Sequence, residues 1–227
     1  MALHGSPRQL ALSLDHVESF AREDFLGGPS NAAALRLVDS WADWPSRTIA
    51  LVGPEGSGKS HLAAIWAAAS GARFLAARSL GEASLPAALA TGALVIEDAE
   101  GGGFDERALF HLLNLAREDS AFVLLTARTL PAGWRLEIRD LASRLRALPV
   151  VALAPPDDEL LRAILVKLFS DRQLMVDESL IGYVAARIER SFKAARAVVA
   201  RLDAEAMQRG RPLTRALAAE ILHSEEP

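Results

Sequence analysis

Apolar residues recur along this chain in two rhythms, and the change between them falls near Pro156. Before it, short apolar runs of strand length alternate with helical stripes. Thr48-Ile49-Ala50-Leu51-Val52 has the near-continuous apolar character of a strand buried on both faces. Further runs of that length fall at 74–77, 93–96, 122–125 and 150–153. Helical spacing marks 31–41, with Ala34, Leu35, Val38 and Trp41 on one face, and 61–69 after a glycine-rich turn. The clearest stripe is 105–117, where Ala108, Leu109, Leu112, Leu113 and Ala116 share a face. Strands alternating with helices predict an α/β fold whose parallel sheet, here of five strands, is covered on both faces.

After Pro155-Pro156 only the helical rhythm continues, at 157–172, 177–188, 192–209 and 214–222, with Asp157, Asp177 and Thr214 as expected N-caps. The chain is therefore expected to divide into a tail at 1–24, an α/β body at 25–156 and a small helical lid at 157–227. The tail is polar and irregular except for Gln9-Leu10-Ala11-Leu12-Ser13-Leu14, whose leucines alternate as in an extended segment.

Composition narrows the picture. The 227 residues are 51% hydrophobic, enough for a sizeable core. No apolar run is long enough to span a bilayer, and residues 1–6 lack the pattern of a secretory signal, so a cytoplasmic address is expected. The absence of cysteine excludes a disulfide framework and thiolate metal sites. A net charge of −4 and a pI near 5.8 argue against gripping DNA along the whole surface. Basic residues are overwhelmingly arginine. Lysine occurs only at Lys59, Lys167 and Lys193, a scarcity that singles these three out.

The chemistry concentrates in Gly53-Pro54-Glu55-Gly56-Ser57-Gly58-Lys59-Ser60, which satisfies G-x-x-x-x-G-K-[ST] between a strand and a helix. In such a loop the glycines let backbone N–H groups turn inward onto phosphate oxygens, and the helix N-terminus adds partial positive charge. Lys59 would neutralise the outer phosphates and Ser60 would ligate Mg²⁺. A second strand must supply a carboxylate to the metal, and Leu94-Val95-Ile96-Glu97-Asp98 offers two. If Glu97 takes the metal side and Asp98 the water side, the order departs from the usual aspartate-first arrangement, and slow hydrolysis is the expectation. At the end of the next strand, Thr126 is placed either to hydrogen-bond the γ-phosphate or attacking water, or to cap the turn.

Several segments carry a family resemblance. Phe25-Leu26-Gly27-Gly28-Pro29-Ser30-Asn31-Ala32-Ala33 resembles a segment that encloses adenine, through Phe25, Leu26 and Asn31. Gly58-Lys59-Ser60-His61-Leu62 matches an extended P-loop that reaches His61. Leu109-Phe110-His111-Leu112-Leu113-Asn114 and Leu141-Ala142-Ser143-Arg144-Leu145 resemble the helix after the second nucleotide motif and the box that carries an arginine finger. In order and spacing they resemble the DnaA/Hda clade of AAA+ P-loop ATPases over residues 9–222, and within it the clamp-associated regulator of the replication initiator.

That resemblance implies ATP or ADP with Mg²⁺ as cofactor. It assigns Arg144 as the finger reaching a neighbouring subunit's nucleotide, with Arg139 and Arg146 as neighbours to be distinguished from it. It places Lys193 at the lid sensor position, where the family has arginine, with Arg196 as the competing candidate. Lysine there lacks the bidentate fork of arginine, which bears on γ-phosphate sensing. Gln9, Leu10, Leu12 and Leu14 resemble a motif that docks on the β subunit of the polymerase sliding clamp, Gln9 at the pocket rim and the leucines within it. The chain ends after the lid, so a DNA-reading terminal domain of the initiator type is not expected, and neither is sequence-specific DNA binding or a membrane partner. The leading expectation is a regulator that stimulates hydrolysis of initiator-bound ATP while its own turnover stays weak, acting as a monomer or homodimer. A self-contained DNA-associated ATPase such as a helicase loader, and a non-catalytic replication adaptor, are the alternatives.

Overall fold

The computed structural model describes residues 20–100 and 103–223. The Gln9, Leu10, Leu12 and Leu14 segment lies outside the described residues.

Five strands, β1 (Thr48–Val52), β2 (Arg73–Ala76), β3 (Ala93–Glu97), β4 (Phe122–Ala127) and β5 (Val150–Ala152), form one sheet in the order β2-β3-β4-β1-β5. Every pairing is parallel, with Val52 opposite both Ala127 and Ala152. β1 sits between β4 and β5, which accounts for its unbroken apolar run: Ile49, Ala50 and Leu51 are fully buried. Because β1, β3 and β4 run the same way, the chain leaves all three at one edge of the sheet. Loops meet there to build a site.

One face of the sheet carries α1 (Ala32–Asp39) and α2 (Lys59–Ser70) over a core that includes Leu51, Leu62, Trp66 and Leu124. Trp44 stacks on Trp66 with ring centroids 5.1 Å apart. The short α3 (Leu85–Ala88), α4 (Glu106–Glu118) and α5 (Arg139–Arg146) cover the other face. The anticipated stripe of α4 is buried as a whole. The helix expected over 31–41 stops at Asp39, because Ser40 Oγ turns back to the Arg36 carbonyl, 2.8 Å, and Trp41 falls in a 3-10 turn. α2 begins at Lys59, two residues earlier than the apolar stripe suggests, since the left-handed Gly58 (φ 96°) joins loop to helix directly.

The change from α/β to all-helical structure falls between Ala152 and Asp158. α6 (Asp158–Asp171), α7 (Glu178–Ala185), α8 (Phe192–Arg209) and α9 (Arg215–His223) pack around Leu161, Leu165, Phe169, Val184, Val199 and Leu202. The expected caps are made: Asp157 and Asp177 accept from the Leu160 and Leu180 N–H groups at 2.8 Å, and Thr214 from Leu217 at 3.3 Å.

The cap at Asp177 makes stability depend on pH. Hydrogen bonds from the Ser179 hydroxyl and the Leu180 N–H hold its carboxyl below the usual carboxylate range. With a depressed folded pKa, its contribution is present above the ordinary carboxylate pKa and lost as pH falls through the folded value. Melting temperatures of the wild type and Asp177→Asn, followed from neutral pH into acid, are expected to differ most at neutral pH and to converge on acidification.

Candidate phosphate-binding site

Between the sheet edge and the helical bundle lies a cleft of about 920 Å³. Glu55, Gly56 and Gly58 of the glycine-rich loop line it, followed by Lys59 and Ser60. Gly56 (φ 72°) and Gly58 (φ 96°) take left-handed conformations that other residues rarely adopt. A Cβ at Gly56 would stand 2.9 Å from Cβ of Lys193, and one at Gly53 would stand 2.7 Å from the Leu153 carbonyl. Gly56 is thus needed twice, for dihedral angle and for close approach, and Gly53 for close approach. Gly56→Ala is expected to destabilise the protein by about 1–3 kcal/mol, because it meets both left-handed strain and the docked bundle; thermal or denaturant unfolding measures this.

Lys59 is 8% exposed. Its Nζ donates to the Gly53 and Pro54 carbonyls at 2.7 and 2.8 Å, so the ammonium is folded back over its own loop. Burial pushes its pKa down, and the nearby Asp98 carboxylate partly offsets that shift. Ser60, the first-turn neighbour of Lys59, lines the cleft with Asp98.

The two candidate carboxylates separate. Glu97 is half-buried at the last position of β3 and is not among the cleft-lining residues. Asp98 adopts φ 53°, which ends the strand and sets this residue at the cleft. Thr126, 2% exposed, accepts the Asp98 N–H at 3.2 Å on its hydroxyl and the Ala99 N–H at 2.8 Å on its carbonyl. Thr126 thus pins the turn that carries Asp98, and it does not line the cleft.

Phe25, Asn31, Pro54 and Ser57 also stand outside the lining. Phe25 is 4% exposed behind the loop, edge-on to His61 (5.2 Å) and beside Phe192 (6.2 Å). Asn31 accepts the Gly28 N–H at 2.9 Å and donates to the Leu26 carbonyl at 3.0 Å, which fixes the turn that presents Leu26. Leu26, Glu55, Gly56, Gly58 and His61 do line the cleft, and the His61 ring donates to the Ala21 carbonyl at 3.1 Å.

All three lysines of the chain line this cleft. Lys193 pairs with Glu55 of the loop. Lys167, on α6, bridges Asp24 at 2.7 Å and Asp171 at 2.8 Å. Arg196, the other lid candidate, lines the cleft one turn beyond Lys193. Sequence reasoning missed Arg128, which follows β4 directly and pairs with Glu100 and Glu55. Its signal was position, one residue past a strand end at the edge where such sites form. Phe20, Ile164 and Leu168 supply apolar wall at the bundle end.

This donor set suits a magnesium nucleoside phosphate: a glycine cradle and lysine for phosphates, apolar wall for a base. Among the described residues no group of three or more His, Asp or Glu side chains is placed to hold a metal ion. A magnesium ion here would therefore draw on phosphate oxygens and water, with Ser60 and Asp98 as protein partners.

Arg144 lies elsewhere. It projects from α5 onto α4, where its guanidinium hydrogen-bonds the Asn114 side chain and sits 4.8 Å from the centroid of Phe110. It does not line the chain's own cleft, and its partner is Asn114 rather than the adjacent Asp140.

The sheet order, the glycine cradle and the helical bundle over it define an AAA+ P-loop NTPase fold. The chain is similar to the chromosomal replication initiator protein DnaA 2 of Chlamydia caviae, at 25% identity over 199 residues, covering 75% of this chain and 43% of that protein. It therefore spans less than half the length of that curated relative. No family model matches. Among solved structures, domain III of the Thermotoga maritima replication initiation protein DnaA superposes with a TM-score of 0.75 at 20% identity, covering 92% of this chain and 98% of that one. The Thermotoga maritima RuvB Holliday junction branch migration motor gives 0.73 at 18%, covering 91% and 72%. AMPPCP-bound DnaA from Aquifex aeolicus gives 0.66 at 16%, covering 81% and 65%. At these identities the structural likeness is one of fold. Among the described residues no helix is long and apolar enough to cross a membrane.

Proposed function

We propose that this protein is an Hda-type regulator of a DnaA-type replication initiator. It holds ADP or ATP with Mg²⁺ in its own cleft, docks on the sliding clamp through Gln9, Leu10, Leu12 and Leu14, and presents Arg144 to ATP bound on the initiator. Hydrolysis then takes place in the partner's site and limits re-initiation of replication in the cytoplasm. The division into an α/β body at 25–156 and a lid at 157–227 belongs to the same reading, as does weak turnover of its own nucleotide.

The observation that carries this reading is the placement of Arg144. An arginine meant for the chain's own nucleotide would face its own cleft. Arg144 instead stands on the α4–α5 face, braced by Asn114 and Phe110 in a fixed orientation. A planar guanidinium held this way is pre-organised to meet a phosphoryl group across an interface. The similarity to replication initiators supports the choice of partner.

The test is hydrolysis of labelled ATP preloaded on the initiator, with clamp loaded on DNA. The wild-type protein is expected to accelerate hydrolysis, and Gln9→Ala to lose most of the acceleration at low protein concentration and recover it at high concentration, as loss of a tether requires. An initiator whose hydrolysis is indifferent to the protein at every concentration contradicts the proposal.

A further inference from the structure

Away from the phosphate cleft, the helix that carries Arg144 is held by little apolar packing. α5 buries only Leu141 and Leu145, and its N-cap, Ile138, makes no side-chain bond to the orphan N–H groups of the first turn. Two polar ties reach it from α4. Toward its C-terminal end is the bond between Arg144 and Asn114. At its N-terminal end stands Glu106, the first residue of α4, which the mechanism described so far leaves unused. Its carboxylate accepts the Glu137 N–H on both oxygens, at 3.0 and 2.9 Å, and the Ile138 N–H on Oε2 at 2.9 Å. The segment leading to α5 is packed onto the same end of α4: Phe104 meets Trp134 at 6.0 Å, and Trp134 Nε1 donates to the Thr129 hydroxyl at 3.1 Å.

Backbone N–H bonds to a carboxylate are roughly twice as strong as neutral ones, so this capture outweighs an ordinary helix-end contact. Glu106 and Asn114 stand about 12 Å apart along the axis of α4. With one tie at each of these points, α5 is fixed in register on α4, and α4 is seated on the sheet by its buried stripe. An arginine that acts across an interface needs such a frame, because a misplacement of about 1 Å costs on the order of 10²-fold in rate. We propose that Glu106 is a positioning residue for Arg144: it holds the start of α5 on α4, so that the guanidinium meets the partner's phosphoryl group at a fixed height and angle. This rests on the reading of Arg144 as a finger acting on initiator-bound ATP. Glu106 does not line the chain's own cleft, and it acts only through Arg144.

The experiment is single-turnover hydrolysis of ATP preloaded on the initiator, with clamp on DNA, over a range of concentrations of the full chain. It compares the wild type with Glu106→Ala, Glu106→Gln, Arg144→Ala, the Glu106→Ala Arg144→Ala double variant, and Arg107→Ala as an exposed neighbour on α4. Glu106→Ala is expected to lower the maximal acceleration by about 10- to 100-fold while moving the half-maximal concentration by less than about threefold. Glu106→Gln is expected to keep more of the acceleration, because a carbonyl oxygen at the Oε2 position still accepts both N–H groups. Adding Glu106→Ala to Arg144→Ala is expected to cost nothing further, as a residue acting only through the arginine requires. Arg107→Ala is expected to behave as the wild type. Calorimetric titration of Glu106→Ala with ADP is expected to stay within about twofold of the wild type, which separates a misplaced finger from a disturbed body. A further loss in the double variant, a parallel loss of ADP affinity, or full acceleration by Glu106→Ala overturns the assignment while leaving the finger reading intact. If Arg144→Ala accelerates as the wild type does, or the wild type not at all, the finger reading falls and this assignment falls with it.

Discussion

Lys59→Ala is expected to weaken ADP and ATP alike, by about 100-fold, with the fold retained. The size follows from what the ammonium supplies. It is the most buried cation of the cleft, and each charge-assisted hydrogen bond it could give a phosphate oxygen is worth about 1.5–3 kcal/mol. Burial already disfavours its charged form, and a phosphate beside it would reverse that disadvantage. In the structure its three donor positions are partly engaged by the Gly53 and Pro54 carbonyls, so the loop is shaped around the ammonium. A conservative Lys59→Arg change therefore also weakens binding, because the longer planar head does not fit beneath the two carbonyls. Calorimetric titration gives the affinities, and circular dichroism melting separates lost binding from lost fold. An affinity within about threefold of wild type would show that the loop is not a phosphate cradle.

The second large effect belongs to Arg144. Its replacement by alanine is expected to remove roughly 10³-fold or more of the acceleration of hydrolysis in the initiator, the scale on which an arginine supplied from a neighbouring subunit stabilises developing phosphoryl charge. Two neighbours serve as comparators. Arg139 and Arg146 lie on the same helix but are exposed. Alanine at either is expected to leave most of the acceleration. Asn114→Ala is expected to fall between: the guanidinium remains, but the hydrogen bond that orients it is gone. A graded series, Arg144 worst, Asn114 intermediate, Arg139 and Arg146 mild, distinguishes a positioned catalytic arginine from a generally basic docking face, where the three arginines would contribute alike.

Much of this architecture was legible in the chain, for identifiable reasons. The inner strands β1, β3 and β4 were visible because a parallel sheet covered on both faces leaves no polar positions to interrupt their apolar runs. The α4 stripe and the helices after Pro156 were visible because each buries a single face, and Asp157, Asp177 and Thr214 marked their starts through side chains that cap them. α5 was not legible as an element: its eight residues bury only Leu141 and Leu145, too sparse a pattern to stand out. The P-loop could be read because its chemistry is local in sequence. The order of Glu97 and Asp98 could not, since it depends on a left-handed turn at Asp98 that Thr126 holds from another strand. Arg128 escaped notice for a related reason. Its partners, Glu55 and Glu100, come from loops that only the sheet brings together. The scarcity of lysine, by contrast, was a compositional signal with a spatial answer, as all three converge on one cleft.

The most direct test of the central claim is single-turnover hydrolysis of ATP preloaded on the initiator, with clamp on DNA, comparing the wild-type protein with Arg144→Ala at equal occupancy of the clamp. A large acceleration that disappears with Arg144 is the predicted result. An acceleration that survives Arg144→Ala, or none with the wild type, would contradict the assignment of Arg144 as a finger acting in a partner's site.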